Sequence, residues 1–113
     1  MEPTSPTRIP HLPSEAQEAA MERVGKALAD TSRRRILLAL LAAPHYPADL
    51  AEELGLTRAN VSNHLACLRD CGLVRTVPEG RRTRYHLADD RLAHALRDLL
   101  EAVLPLDPAR EEH

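Results

Sequence analysis

Two thiols, Cys67 and Cys71, stand four residues apart in a segment whose apolar residues recur at helical spacing, which puts both on one flank of a helix. His64, one turn before Cys67, adds a third donor, still short of the four that close a tetrahedral metal site. A second donor set is Asp90 and His94, one turn apart, with Asp98 and Glu101 on neighbouring turns. His11, His86 and His113 make a third pool that could close a site across two subunits. Each set also has a plainer reading. Cysteine packs readily as a small apolar residue, acidic helix faces are commonly only solvated, and single histidines commonly sit at the surface. Just ahead of the thiols come Thr57, Arg58, Asn60, Ser62 and Asn63. Amides and guanidinium groups can pair with base edges in a DNA major groove, while hydroxyls reach phosphates. His64 lies at the edge of this set as well.

These residues share one element. Thr57 is a good N-cap and Gly72 a good C′ residue, and Val61, Leu65 and Leu68 form the inward stripe between them. An ordinary amphipathic surface helix would show the same stripe. Pro47 starts a short helix through Leu54, and Gly55 with Leu56 makes a tight turn into Thr57, so the two helices read as a helix-turn-helix. Upstream, Ser14 to Gln17 is a capping box opening a helix to about Ala29. Asp30 or Thr31 caps the next, Arg33 to Ala42, with Ile36, Leu37, Leu40 and Leu41 as core. After Gly72 the period changes to two. Residues 73–77 and 82–87 alternate as strands about a turn at 78–81, a basic hairpin that reads as a wing, with Arg81, Arg82 and Arg84 toward phosphates. A merely solvated charged hairpin is the alternative. A last helix, capped by Asp89 or Asp90 and stopped by Pro105, carries Leu92, Leu96, Leu99 and Val103 on one stripe. With Leu100 that stripe is wider than so small a core covers, which marks a dimer interface.

The fold class is therefore mostly α with a small β-hairpin, a winged helix-turn-helix of four helices, a hairpin and a fifth helix. Residues 1–13, with four prolines, read as a disordered arm, 14–104 as the DNA-binding and dimerisation domain, and 105–113 as a flexible acidic tail. The chain has no Phe or Trp and two Tyr, so its core is aliphatic and it lacks the aromatic platforms of single-strand binders. The net charge is −2, but it is segregated: residues 56–86 carry six Arg against one Asp and one Glu, and residues 87–113 carry seven acids against three Arg. Double-stranded DNA is the partner that this basic segment fits. No apolar run could cross a bilayer and the N-terminus lacks a basic-then-apolar signal pattern, so the expected location is cytoplasmic, with both cysteines reduced or metal-bound. Enzymatic chemistry finds no support: there is no phosphate-binding glycine loop, no nucleophile with an evident base and no carboxylate pair in a cleft-forming context.

Several motifs together resemble the ArsR–SmtB family of winged-helix repressors: residues 25–30 (GKALAD), 34–37 (RRIL), 49–51 (DLA), 61–65 (VSNHL), 72–74 (GLV) and 79–85 (EGRRTRY). The pair Cys67 and Cys71 is similar to that of the CmtR-like subgroup. The resemblance implies a homodimer built on the first and last helices, with Val24 and Leu28 facing Leu92, Leu96, Leu99 and Val103, on a pseudo-palindromic operator that metal binding releases. The chain departs from the family in its ligands. Tyr46-Pro47-Ala48 stands where thiophilic-metal sensors carry a Cys-Val-Cys box, Arg91 replaces a histidine of the last-helix site, and the tail lacks the third cysteine of the CmtR-like pattern. His113, Glu111 and Glu112 are the tail's substitutes. With two thiolates per subunit and an excess of His and carboxylate, the donor set favours nickel or zinc, with cobalt or cadmium as alternatives. Two further readings stand beside metal sensing. One is a thiol redox switch, whose Cα separation of about 6 Å is near the bridging limit; the other is a metal-independent regulator.

Overall fold

The computed structural model describes residues 14–106. Five α-helices and one antiparallel hairpin follow in the order α1 (Ser14–Ala29), α2 (Thr31–Ala42), α3 (Pro47–Leu54), α4 (Arg58–Asp70), β1 (Val74–Glu79), β2 (Arg82–Leu87) and α5 (Asp90–Val103). The winged helix-turn-helix read from the sequence is the fold observed. The expectations for residues 1–13 and for 107–113, including His11, Glu111, Glu112 and His113, lie outside the described residues.

Each helix end has a local cause. Asp30 caps α2, its carboxylate accepting the Arg33 N–H at 3.0 Å, so α2 begins at Thr31, earlier than the expected Arg33. The arginines that follow fold back on α1: Arg33 donates to the carbonyls of Lys26 and Ala27, and Arg34 to those of Leu28 and Ala29. Four carbonyls that would end α1 unpaired are thereby satisfied by cations at the negative end of its dipole. Pro47 opens α3, and Gly55, at φ 70°, closes it in the left-handed conformation that glycine adopts without cost. Thr57 caps α4 through its side-chain oxygen, which accepts the Asn60 N–H at 3.0 Å.

The hairpin is tighter than the sequence indicates. Strand β1 runs through Pro78 to Glu79, leaving only Gly80 and Arg81 in the turn, with Pro78 paired opposite Thr83. The backbone N–H and C=O of Tyr85 face outward to His45, exchanging bonds of 2.8 and 3.1 Å, so Thr76 and Tyr85 are a non-hydrogen-bonded pair across the hairpin. Two residues on, the Pro78 nitrogen also faces outward, where the missing N–H removes no bond from the ladder. Pro105 does end the α-helical ladder, and the chain continues as one 3-10 turn, Leu104–Leu106, beyond the expected boundary at 104.

The core is aliphatic: Ile36, Leu37 and Leu40 of α2, Leu50 of α3, Val61, Leu65 and Leu68 of α4, and Leu73, Val74 and Leu87 around the hairpin are buried, with Ala27 and Ala51. Leu41 packs against its edge rather than inside. Helix α5 buries no residue completely; Leu92 and Leu96 lean on the core while Leu99 and Val103 remain 52% and 46% exposed. An apolar groove of about 170 Å3 runs between α1, α2 and α5, lined by Leu28, Leu37, Leu38, Leu96, Leu99 and Leu100 with Arg34 at its rim. Ile36, fully buried, is the side chain whose truncation tests this packing. Ile36→Ala should cost about 2–5 kcal/mol of unfolding free energy, seen as a lower urea midpoint with an unchanged slope.

Candidate nucleic-acid interface

The α4 helix has two sides of opposite character. Val61, Leu65 and Leu68 are sealed from water beneath it, while Thr57, Arg58, Asn60, Ser62 and Asn63 are exposed along its first two turns. Burial of the stripe fixes the roll of the helix, so the polar face points outward as a set. His64 departs from that set. It is half-buried and turned toward the α2 cap, its Nδ1 lying 3.7 Å from Oδ2 of Asp30. The Arg33 backbone N–H holds the Asp30 carboxyl below its ordinary value; burial is the next effect and opposes it, while the charges of His64 and Arg33 and the Ser32 N–H add smaller downward pulls.

The wing divides its arginines. Arg81 and Arg82 are exposed, but Arg84 is half-buried and turned inward. Arg84 donates to the Tyr46 hydroxyl oxygen at 2.8 Å and lies 3.2 Å from Oε1 of Glu79, to which Tyr46 itself donates at 2.6 Å. The guanidinium of Arg82 stacks 3.5 Å from the Tyr46 ring centroid. Tyr46 is the residue that the sequence reading passed over, taking it only as the replacement for a family cysteine. Its signal was compositional: it is one of two aromatic residues in the chain, next to the proline that opens α3.

Of the three donor sets, the thiol pair is placed on consecutive turns as expected. Cys67 is exposed and Cys71, at the C-cap of α4, is half-buried, and both thiols are free. Two thiolates suit a soft divalent ion and supply half of a closed tetrahedral set. His64 faces Asp30 instead. Asp90, His94 and Asp98 line an open strip of α5 together with Arg91. His86 lies in a separate cleft of about 190 Å3 with Arg75, Arg97, Asp89 and Asp90. Among the described residues no three His, Cys, Asp or Glu side chains converge to hold a metal ion.

A capped reading helix behind a helix-turn-helix, with a basic hairpin beside it, defines a winged-helix, DNA-binding transcriptional regulator rather than an enzyme. The HTH-type transcriptional regulator CmtR of Mycobacterium tuberculosis is 57% identical over 96 residues, which span 85% of this chain and 81% of that relative. Residues 30–76 match the helix-turn-helix of the bacterial regulatory protein, arsR family, and the chain belongs to that family. Two solved structures carry the same arrangement. The NMR structure of the cadmium metal-sensor CMTR from Mycobacterium tuberculosis matches at 60% identity with a TM-score of 0.62, covering 73% of this chain and 85% of that one. The homodimeric winged helix-turn-helix domain of Mb0332 from Mycobacterium bovis matches at 27% identity with a TM-score of 0.76, covering 97% of this chain and 98% of that one. Among the described residues no helix is long and apolar enough to cross a membrane.

His86 gives this region a titration. Burial is the main cause lowering its pKa from the ordinary 6.5, with Arg75 and Arg84 adding to it and Glu79 opposing. A depressed folded-state value means that the unfolded chain takes up the proton first. Its contribution to stability is full above pH 6.5 and is lost as the pH falls through the folded-state value. His86→Gln should flatten the decline of stability on the acid side of pH 6.5, measured by urea unfolding across a pH series.

Proposed function

We propose that this chain is a metal-responsive repressor that binds operator DNA as a homodimer and leaves it when a thiophilic divalent ion occupies Cys67 and Cys71. The observation that carries the proposal is the construction of α4: a polar outer face at its N-terminal end, a fully buried apolar stripe beneath, and two free thiols at its far end. In the dimer Leu99 and Val103, left exposed on α5, and the half-buried Leu92 and Leu96, with Val24 and Leu28 of α1 and Leu38 of α2, cover one another across the axis. The two α4 helices then enter successive major grooves. Arg58, Asn60 and Asn63 read base edges, Thr57 and Ser62 contact phosphates, and Arg81 and Arg82 of each wing neutralise the backbone, while His64 stays turned toward Asp30. Such a protein works in the cytoplasm, where its DNA is.

The metal, when bound, supplies a positively charged anchor at the C-terminal end of α4. Cys67 and Cys71 provide two ligands, and the remainder come from residues 107–113, where His113, Glu111 and Glu112 are available, or from the partner subunit. Asp90 and His94 form a separate, more open pair on α5. Counting donors favoured nickel or zinc. The similar protein solved as a cadmium sensor puts cadmium first among the ions to test, because the softest donors here are also thiolates.

Two measurements check this reading. On an operator recovered by selection from random duplexes, Asn60→Ala or Asn63→Ala should lower the preference for operator over random DNA by about 1–3 kcal/mol. Arg81→Ala should weaken both alike and reduce the salt dependence by about one contact per subunit. Calorimetric titration of the reduced protein with cadmium, zinc, nickel and cobalt should give tightest binding for cadmium, with ultraviolet thiolate-to-metal charge transfer that Cys67→Ser or Cys71→Ser abolishes. Unchanged DNA binding in saturating metal would remove the regulatory half of the proposal and leave the DNA half standing.

A further inference from the structure

Tyr46 stands at the N-cap of α3, outside the reading helix and outside the wing, yet it touches both arginines of β2 that point toward its end of the molecule. Its ring supports the Arg82 guanidinium at 3.5 Å, while its hydroxyl is held between Glu79 and Arg84. The backbone beside it is fixed too, since His45 pairs with Tyr85 and Pro47 opens the helix. The two arginines are used differently. Arg84 spends its charge on Glu79 and Tyr46, whereas no side-chain hydrogen bond of Arg82 is seen among the described residues, so its N–H edges stay free. A guanidinium laid on a ring face loses little by stacking and keeps its in-plane donors for a phosphate.

We propose that Tyr46 is a platform that pre-positions Arg82 for the DNA backbone, with Glu79 and Arg84 as the residues that hold the platform in place. Arg84 is then a positioning residue rather than a phosphate contact of its own. The gain is preorganisation: an exposed arginine on a hairpin tip otherwise gives up its rotamer freedom on binding, and here the ring has already taken most of it. The inference rests on the wing contact in the proposed function, and the test separates the two.

The contact is to the backbone, so a labelled random-sequence duplex serves as the probe, titrated by fluorescence anisotropy over a series of salt concentrations with the full-length protein. Arg82→Ala should weaken binding about tenfold and lower the salt slope by about one contact per subunit. Tyr46→Leu, which removes no charge, should weaken binding several-fold while leaving the salt slope near that of the wild type, and Tyr46→Phe, which keeps the ring but loses the hydroxyl that Glu79 and Arg84 hold, should recover part of the affinity. In the Arg82→Ala background Tyr46→Leu should cost nothing further, while with Arg81→Ala its effect should be additive. Arg82→Lys keeps the charge but not the planar stack, and should make binding insensitive to Tyr46→Leu, which gives a second route to the same coupling.

Wild-type binding by Tyr46→Leu beside a weakened Arg82→Ala overturns the platform and leaves the wing contact intact. An equal loss from Tyr46→Leu with and without Arg82 also overturns it, since Tyr46 would then act on the wing as a whole. Wild-type binding by Arg82→Ala removes the Arg82 contact, and the platform with it, and leaves the wing contact to Arg81.

Discussion

Three side chains, Val61, Leu65 and Leu68, decide what α4 can do. All are removed from water, and they lock the rotation of the helix about its own axis to within the tolerance of a packed core. Once that rotation is set, no choice remains for the outer face. Asn60 and Asn63 must project away from the body, Cys67 must lie out in solvent, and Cys71 must sit at the edge of the core. A slip of one residue in this stripe would point the amides inward and the leucines at DNA. The apolar face is therefore as much a part of recognition as the residues that read.

Around that helix the protein is tied together by cations at helix ends. Arg33 and Arg34 close α1, and Arg35 reaches across to the Leu54 carbonyl that ends α3. Three consecutive arginines on α2 thus fix the two helices on either side of it. This matters because α1 carries part of the apolar surface shared with α5, while α3 leads into the reading helix. Both surfaces take their orientation from the first turns of α2.

Most of the fold was legible because its signals are local. Thr57, Gly72, Pro47 and Gly55 mark helix ends by their own conformational preferences, and the aliphatic stripes carry the period. The basic hairpin was legible as a wing from its alternation and charge, but its turn was read too long, because Pro78 looks like a turn residue until the register shows its nitrogen facing outward. What the sequence hid is contact between distant residues. Nothing in the sequence around His64 points to Asp30, 34 positions away, and nothing around Arg84 points to Tyr46, 38 positions away. Both residues were placed toward DNA by their type; the structure turns each toward a neighbour that only the packed chain supplies. The metal ligands beyond the thiol pair were not legible for a related reason, since two donors on one helix do not specify where the others come from.

The hairpin has one more property that follows from its edges. On the outer side of β2 the backbone groups of Tyr85 are already occupied by His45, and on the outer side of β1 Pro78 offers no donor. A two-stranded ribbon normally leaves both flanks open to any passing strand, and a regulator crowded along DNA brings many copies of the same ribbon close together. Here the β2 flank is interrupted near its middle and the β1 flank one residue before the turn. The wing can thus be extended, basic and exposed without becoming a seed for strand-by-strand association between molecules.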